Sequence, residues 1–397
     1  MKKILFVINN FCIGGIQRSL IELLSVISDE YEIYVYATDT KGPYLNQIPD
    51  NVRILNSSRF AKMLEYSRWN YRKVGGFWNY LAKLFLGWFS SKYGRKFPAR
   101  FYCKIIGKIP GEYDWAISFS QPLGDKTFHN LENEIVLFCT DAHYRATFVH
   151  CDYEEYGGNT SYNHNLYKQF DAVAAVSQSV AEKFCRILPD QKNKVCVVYN
   201  ACDSTFIQTQ SLNNPIQYKK KCIISVCRLS PVKGLLRCVP IFHQLMEEHY
   251  EFEWHIVGGG DKKYVTELTN AINNYGLKDI IILEGDQINP YRFMKYADFL
   301  LLPSYHEAAP MVYNEACCLG LRILTTNTLS ANEMVSNRGI GLVCNNDENS
   351  IYLMLKRAMC EEISAYMPDT MKQWNNTVKS QFRKMIYSDF EYDQVPY

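Results

Sequence analysis

The sequence predicts an α/β protein with two doubly wound, Rossmann-like domains in series. Strand-like apolar runs alternate with helical stretches, which is typical of a parallel sheet covered by helices. The alternation is interrupted once, at the polar, proline-containing segment SLNNPIQYKK, and then begins again. A chain of 397 residues is also too long for one ordinary hydrophobic core.

The first half opens with the run KILFVI, a glycine loop and a helical pattern that includes Leu20 and Leu23. Because the opening run is so short, we expect it to be a first strand and not a signal peptide. Further strands are predicted at EIYVYAT, VRIL, WAISFS, EIVLFCT and AVAAVS.

The second half repeats the scheme. After KVCVVYNACD, strands are predicted at CIISV, FEWHIV, IIILEGD, ADFLLLPS and RILTT. We place the N-terminal domain at residues 1–205 and the C-terminal domain at 206–375. Residues 376–397 are predicted to form a terminal helical segment that packs across the domain junction.

The composition indicates a globular protein with no general affinity for nucleic acid, since the net charge is only +2. The 14 cysteines include no Cys-x-x-Cys pair, so we expect reduced thiols in a cytosolic protein and no metal or other cofactor. No apolar window approaches the roughly 20 residues that a membrane-spanning helix needs.

Charged and glycine residues follow neighbouring strands of the second predicted sheet. Arg228 and Lys233 lie in the loop after CIISV, and Gly258 and Gly259 lie in the turn after FEWHIV. Open α/β sheets bind ligands at the carboxyl ends of their strands, where bare backbone and cations suit a phosphate. The sequence therefore predicts a phosphate-bearing ligand at this edge.

The stretch HEAAPMVYNEA follows the strand ADFLLLPS and adds a helix to the same edge. Pro310 suits the first turn of that helix, whose free N–H groups at Met311 and Val312 attract an anion. Glu315, on the next turn, can reach a hydroxyl such as a ribose edge. Glu307, in the preceding loop, can reach the other end of the ligand.

These segments together resemble a known family. RLSPVKG, IVGGG, ADFLLLPS and EAAPMVYNE look like the signature of the family 4 glycosyltransferases, the retaining group with the GT-B fold. The likeness continues through LGLRILTTNTLSANEMV and back to GGIQRSL. It implies two facing Rossmann-like domains, with a C-terminal helix crossing back to the first. The second domain would hold a nucleotide-sugar and the first an acceptor.

The resemblance assigns roles to the donor-site residues. Arg228 and Lys233 would bind the diphosphate of a UDP-sugar, preferred here over a GDP-sugar. Glu315 would bind the ribose, Glu307 the sugar hydroxyls, and Gly15 would close over the phosphates. Leaving-group charge would be stabilised by the cations and helix N–H groups without a metal, and the sequence contains no Asp-x-Asp pair.

The acceptor side departs from the family pattern. Relatives often carry a histidine directly after the strand that corresponds to EIVLFCT, whereas this chain has Thr140 and Asp141 there and His143 two residues later. We take Asp141 and His143 as catalytic candidates, and Gly14 and Arg18 as acceptor-binding candidates. Gln17 also stands where many relatives have an acid, so acceptor handling is expected to differ.

Residues 59–108 are not explained by these motifs. They contain twelve Lys or Arg, 14 aromatic residues and a single acid, Glu65. Four large apolar residues fall on one helical face: Trp78, Leu81, Phe85 and Trp88. Rings and cations together suit an anionic membrane surface. The alternatives are aromatic side chains packed onto the first sheet with solvated cations, or binding of single-stranded nucleic acid.

The predicted function is transfer of a sugar to a glycan or lipid-linked glycan in surface polysaccharide synthesis, in the cytoplasm at the inner face of the membrane. Two alternatives stay open. One is another GT-B sugar-nucleotide enzyme, an epimerase or a phosphorylase. The other is a non-catalytic glycan-binding subunit with the same fold. A dehydrogenase fits poorly, because no acid is spaced properly after a dinucleotide fingerprint.

Overall fold

The computed structural model describes residues 1–66, 68–360 and 370–387, without the side chains of residues 68, 69 and 370. Two compact units are present: residues 1–201 with those from 376 onward, and residues 202–375. The second unit starts at Cys202, not at residue 206, because the helix Ser204–Ser211 packs into its core through the fully buried Ile207.

The first unit is built on a seven-stranded parallel sheet in the order β3-β2-β1-β4-β5-β6-β7. The strands are β1 Lys3–Ile8, β2 Glu32–Ala37, β3 Arg53–Leu55, β4 Glu112–Ser118, β5 Asp141–Val149, β6 Ala172–Ala175 and β7 Val195–Val197. The helices are α1 Gly15–Ile27, α2 Arg68–Gly75, α3 Phe77–Tyr93, α4 Lys96–Ile106, α5 Glu132–Cys139, α6 Ser161–Tyr167 and α7 Gln178–Ile187.

The second unit is built on a six-stranded parallel sheet in the order β10-β9-β8-β11-β12-β13. The strands are β8 Lys221–Val226, β9 Phe252–Val257, β10 Ile281–Gly285, β11 Phe299–Leu302, β12 Arg322–Thr326 and β13 Gly341–Cys344. The helices are α8 Ser204–Ser211, α9 Leu235–Glu247, α10 Lys262–Asn274, α11 Tyr291–Met294, α12 Met311–Cys318 and α13 Glu348–Cys360. Helix α14, Thr370–Tyr387, begins in the second unit, and its residues from 376 onward belong to the first.

The central strands are buried on both faces, which explains their continuous apolar runs. In β1, Leu5 is paired with Tyr34 of β2 on one side and with Ala116 of β4 on the other. Every residue from Ile4 to Ile8 is fully buried. Such strands cannot alternate polar and apolar residues, because neither face of a helix-covered parallel sheet meets water.

The predicted strand EIVLFCT is wrong. This segment forms α5, and the strand is the following stretch, Asp141–Val149. A short apolar run does not by itself distinguish a strand from a buried helix. The polar residue Glu134 of this helix is fully buried beside the buried Arg95, with Arg95 Nε and Glu134 Oε1 3.0 Å apart.

The basic aromatic segment forms α2, α3 and α4, and part of it faces solvent. Trp78, Leu81, Phe85 and Trp88 on α3 are 39–79% exposed, so they do not pack onto the first sheet. Other aromatic residues of the segment, such as Tyr102, are buried. The predicted segment includes residue 67 and the side chains of residues 68 and 69, which lie outside what the structure describes.

The end of α14 belongs to the first unit. Trp115 Nε1 and Lys2 Nζ, both in the first unit, donate hydrogen bonds to the Ile386 carbonyl oxygen at 3.0 Å. Residues 388–397 of the predicted terminal segment lie outside the described residues. All 14 cysteines are free thiols. Within residues 1–66, 68–360 and 370–387, no helix is both long enough and apolar enough to cross a membrane.

Candidate functional site

The carboxyl edge of the second sheet brings together two of the predicted donor-site residues. Lys233 follows β8 and Glu307 follows β11, and these two strands are neighbours in the sheet. The Lys233 ammonium donates to Glu307 Oε1, and Ser304 Oγ donates to the same oxygen at 2.7 Å. Arg228, in the same loop as Lys233, is exposed.

A glycine fixes the distance between these two loops. Gly234 has φ +66°, and a Cβ at this position would overlap the carbonyl oxygen of Pro303. The two loops are also joined where the Tyr305 N–H donates to the Val232 carbonyl at 2.8 Å. Only glycine allows this close approach in the left-handed conformation. The Lys233–Glu307 pair therefore rests on rigid backbone.

The glycine turn after β9 serves mainly to pack loops together. Gly258 has φ +138°, and a Cβ at this position would overlap the carbonyl oxygen of Cys227. A Cβ at Gly260 would overlap the carbonyl oxygen of Leu229. The Gly258 N–H donates to the Gly285 carbonyl at 2.8 Å. The Gly258 N–H is therefore already bound to backbone, and the predicted contact of Gly258 and Gly259 with a phosphate stays a prediction. The Gly259 carbonyl accepts from the Leu229 N–H at 2.7 Å.

The N-terminus of α12 lies at the same edge of the sheet, after β11. Pro310 is the N-cap, so the helix starts at Met311, which is partly exposed, and Val312 is buried. The N–H groups of a first turn have no intrahelical acceptor and carry the positive end of the helix dipole. Glu315, one turn later, is 8% exposed and accepts a hydrogen bond from the Tyr291 hydroxyl at 3.2 Å.

Arg237 supports this edge and was not predicted from the sequence. Its side chain is buried, and Nη2 donates to the Pro303 carbonyl at 2.6 Å and to Asn346 Oδ1 at 2.7 Å. The guanidinium also lies 3.9 Å from the centre of the Tyr305 ring. The sequence could have indicated this role, because Arg237 is a cation within the apolar face of α9 and buried cations are rare unless they are paired. Arg237 holds the loop that carries Glu307.

Gly14, Gly15 and Arg18 lie at the start of α1, after β1. Gly14 is the N-cap, and a Cβ added to Gly15 would meet no atom within 4 Å. Arg18 is only 4% exposed; its guanidinium pairs with Glu22 and donates to Gln47 Oε1 at 2.7 Å. The prediction of Arg18 as an acceptor-binding cation is therefore not supported, since its charge is held inside the first unit.

Asp141 and His143 are placed at the wrong end of their strand for the predicted role. Both are exposed residues at the amino end of β5. Ligands of open α/β sheets bind at the carboxyl ends of the strands, so these two residues lie on the opposite edge. The structure therefore does not place them after a strand, as their selection as catalytic candidates assumed, and the cause is the mistaken strand at EIVLFCT.

His150 is the histidine that directly follows β5. Its ring centre lies 4.8 Å from that of Phe119 and 5.6 Å from that of Phe148. Burial lowers the pKa of His150 to about 3, and a hydrogen bond to the Phe119 backbone opposes part of that shift. The Nε2 atom is buried without a hydrogen-bond partner among the described residues. A correct strand boundary would have revealed His150 from the sequence.

The second unit is similar in sequence to a known protein family. Residues 207–366 match the family model described as glycosyl transferases group 1. The match covers most of the second unit and less than half of the chain, so it shows that this unit is similar to group 1 glycosyltransferases. Lys233, Glu307, the N-terminus of α12 and Glu315 all lie within the matched residues. In the described residues, no three His, Cys, Asp or Glu side chains are grouped so that they could hold a metal ion.

Curated relatives match part of the chain. It is 28% identical over 193 residues to the Campylobacter jejuni N-acetylgalactosamine-N,N'-diacetylbacillosaminyl-diphospho-undecaprenol 4-alpha-N-acetylgalactosaminyltransferase, covering 48% of this chain and 51% of that protein. This chain is also 30% identical over 155 residues to the putative colanic acid biosynthesis glycosyltransferase WcaL of Escherichia coli K12, and the match covers 36% of this chain and 35% of that protein. The chain thus spans about half or less of the length of these relatives.

Solved structures match the whole fold. The Anabaena Alr3699/HepE structure in complex with UDP and glucose has a TM-score of 0.67 and 16% identity, covering 98% of this chain and 100% of that one. Because the identity is so low, this likeness shows the fold alone. The chain has the α/β GT-B fold with two parallel sheets, as the sequence predicts.

Proposed function

We propose that the chain transfers a sugar from a UDP-sugar to a glycan or lipid-linked glycan, with retention of anomeric configuration, in surface polysaccharide synthesis. The observation that carries this proposal is the edge of the second sheet where Lys233, Glu307 and the α12 N-terminus come together. A cation, a carboxylate and free N–H groups in one place suit a diphosphate joined to a polyol. The UDP in the Alr3699/HepE structure and the colanic acid relative support the choice of donor and pathway.

Each group has a proposed task. Lys233 and the Met311 and Val312 N–H groups bind the diphosphate and stabilise the charge that grows as the glycosidic bond breaks. Glu307 accepts hydrogen bonds from sugar hydroxyls, and its contact with Lys233 places the cation beside the sugar. Glu315 binds the ribose. These groups supply electrostatic stabilisation without a metal, so none is included in the proposed mechanism.

His150 is proposed to take part in the transfer of the sugar. A pKa of about 3 keeps its imidazole neutral at physiological pH. A neutral ring can donate or accept one hydrogen bond at Nε2 without placing a positive charge beside an oxocarbenium-like centre. This role replaces the one predicted for His143 and Asp141.

The acceptor is proposed to be a glycan on a lipid diphosphate carrier, met at the inner face of the cell membrane. The name of the Campylobacter jejuni relative describes an acceptor of that kind. The exposed rings of α3 and the cations of residues 59–108 support peripheral binding to an anionic membrane. For Gly14 and Gly15, which follow β1, we propose an acceptor-binding and a donor-binding role respectively.

The test uses the purified full chain with a panel of UDP- and GDP-sugars. Release of nucleotide and transfer to a lipid-diphosphate glycan are measured, and the anomeric configuration of the product is read by NMR. Release of UDP with an α-linked product from an α-linked donor is the expected result. Epimerised nucleotide-sugar without acceptor would instead indicate an epimerase. Absence of nucleotide binding across the whole panel would contradict the proposal.

A further inference from the structure

The junction of α3 and α4 forms a hollow of about 730 Å³ on the surface of the first unit. It is lined by Phe89, Tyr93, Gly94, Lys96, Phe97 and Arg100. The walls are preformed, since the Phe89 ring centre lies 5.1 Å from that of Phe97 and 5.0 Å from that of Tyr93. This volume is within the range of small-ligand sites, roughly 300–1,000 Å³. We name this hollow the α3–α4 groove.

The charge in the groove is entirely positive. Lys96 and Arg100 are exposed and lie one helical turn apart on α4, so their side chains share one face. Among the residues that the structure describes, neither cation forms an ion pair with a carboxylate. The Arg100 guanidinium instead lies over the Phe138 ring, 5.4 Å from its centre. The two cations therefore remain able to bind an anion.

Arg95 fixes the groove to the body of the unit. Unlike its neighbour Lys96, Arg95 is fully buried; it pairs with Glu134 and donates to Asn163 Oδ1 at 3.1 Å. Its N–H donates to the Asp125 carbonyl at 2.7 Å, in the loop that follows β4. The groove therefore lies beside the carboxyl ends of the first sheet, the edge where an acceptor is proposed to bind.

Exposed apolar side chains continue from the groove along both helices. On α3, Phe85 and Trp88 are 52% and 51% exposed, and on α4, Phe97 and Phe101 are 51% and 40% exposed. Helices α3 and α4 contain no acidic residue. The groove is cationic, and the rings beside it are exposed to water. This combination suits an amphiphile, which has an anionic head group and an apolar chain. A free sugar or nucleotide would leave the rings without a partner.

We propose that the α3–α4 groove binds the phosphate head group of an anionic phospholipid, with its acyl chains along the exposed rings of α3 and α4. Lys96 and Arg100 donate to the phosphate, while Phe89 and Phe97 contact the glycerol and the first methylenes. This inference extends the proposed membrane association by naming a single lipid site within a broad basic surface. The site holds α3 and α4 at the depth where their rings meet the head groups.

The probe is dihexanoylphosphatidylglycerol below its micelle concentration, because a monomeric lipid offers no charged surface to a general basic patch. Binding is followed by NMR or calorimetry with the full chain. The test variant is Lys96→Gln/Arg100→Gln. The matched control is Arg72→Gln/Lys73→Gln on α2, which removes the same charge from exposed positions outside the groove.

We expect the groove variant to weaken lipid binding about tenfold or more, and the control to change it less than about twofold. Restoring charge with Lys96→Arg/Arg100→Lys should recover most of the binding. Equal losses in the two Gln variants would overturn the site, as would equal affinity for glycerol phosphate, which would indicate a free phosphate ligand. Tighter binding of a single-stranded oligonucleotide than of the lipid would also overturn it.

Separate measurements distinguish this site from the proposed function. Binding of UDP tests the second unit, and the groove variants should leave it unchanged. Flotation of the wild-type chain with vesicles containing phosphatidylglycerol tests membrane association as a whole. If the wild-type chain binds the lipid but not UDP, the proposed transferase activity is contradicted and the lipid site is not. If the wild-type chain binds vesicles and the groove variant binds the short-chain lipid as tightly as wild type does, the lipid site is contradicted and membrane association is not.

Discussion

Lys233 and Glu307 are 74 residues apart in the sequence, yet the lysine ammonium and the glutamate carboxylate are in direct contact. The two side chains are 22% and 11% exposed, so water screens their charges only in part. Neighbouring strands and the close approach at Gly234 bring them together. Their contact links the proposed diphosphate cation to the proposed sugar-binding carboxylate.

Replacing Lys233 by Ala should weaken UDP binding by roughly 1.5–3 kcal/mol, the scale of a hydrogen bond to a charged group. Calorimetric titration with UDP measures the loss. Lys263→Ala is the control, because that side chain is 86% exposed on α10 and should leave the affinity unchanged. Equal affinity in wild type and Lys233→Ala would exclude the assignment.

The two glutamates should respond differently to removal of their charge. Glu307→Gln should reduce turnover roughly 10²-fold while UDP binding survives, because the lost interaction is made to the reacting sugar. Glu315→Gln should instead weaken UDP binding by about 1–2 kcal/mol, because its proposed partner is the ribose. Steady-state kinetics and calorimetry on both variants give the comparison. Two similar, mild effects would mean that both side chains are structural.

His143, near the amino end of β5, and His150, directly after its carboxyl end, form a matched pair. His150→Asn should reduce turnover roughly 10²-fold, whereas His143→Asn, at the exposed opposite end of β5, should have no effect. Because the pKa of His150 is lowered to about 3, the rate should show no His150 titration between about pH 5 and 8. Circular dichroism confirms that each variant folds. Equal activity of the two variants would remove His150 from the mechanism.

Glu132 should make the stability of the first unit depend on pH. Burial, and secondarily the charge of Glu65, raise the pKa of Glu132 from 4.5 to about 8. The folded state thus keeps a proton that the unfolded chain releases, so stability falls as pH rises through this window. The total effect is on the order of a few kcal/mol.

The measurement for Glu132 is thermal unfolding between pH 5 and pH 9. Glu132→Gln removes the titration and should flatten the decline in Tm, while Glu112→Gln, an exposed acid in the same unit, should retain it. An unchanged slope in Glu132→Gln would show that another group controls the pH dependence.

The two parallel sheets, and the motifs at the edge of the second one, could be predicted from local sequence patterns. Continuous apolar runs identify strands of a helix-covered sheet, because burial on both faces leaves no place for polar residues. Parallel strands place their carboxyl ends on one edge, so residues after β8 and β11, such as Lys233 and Glu307, were expected to lie near one another. These inferences depend only on local pattern and on the geometry common to all such sheets.

The tertiary structure alone decided the features that depend on distant partners. EIVLFCT forms a helix whose Glu134 is buried against Arg95, a contact that no local pattern reveals, and the strand follows this helix. This shift moved the strand end from Thr140 to Val149 and the candidate histidine from His143 to His150. Likewise, the Gly258 N–H is bound to Gly285, and Arg18 is held by Glu22 and Gln47. Each outcome depends on contacts between residues that are far apart in the chain, and neither the spacing of residues nor the composition predicts such contacts.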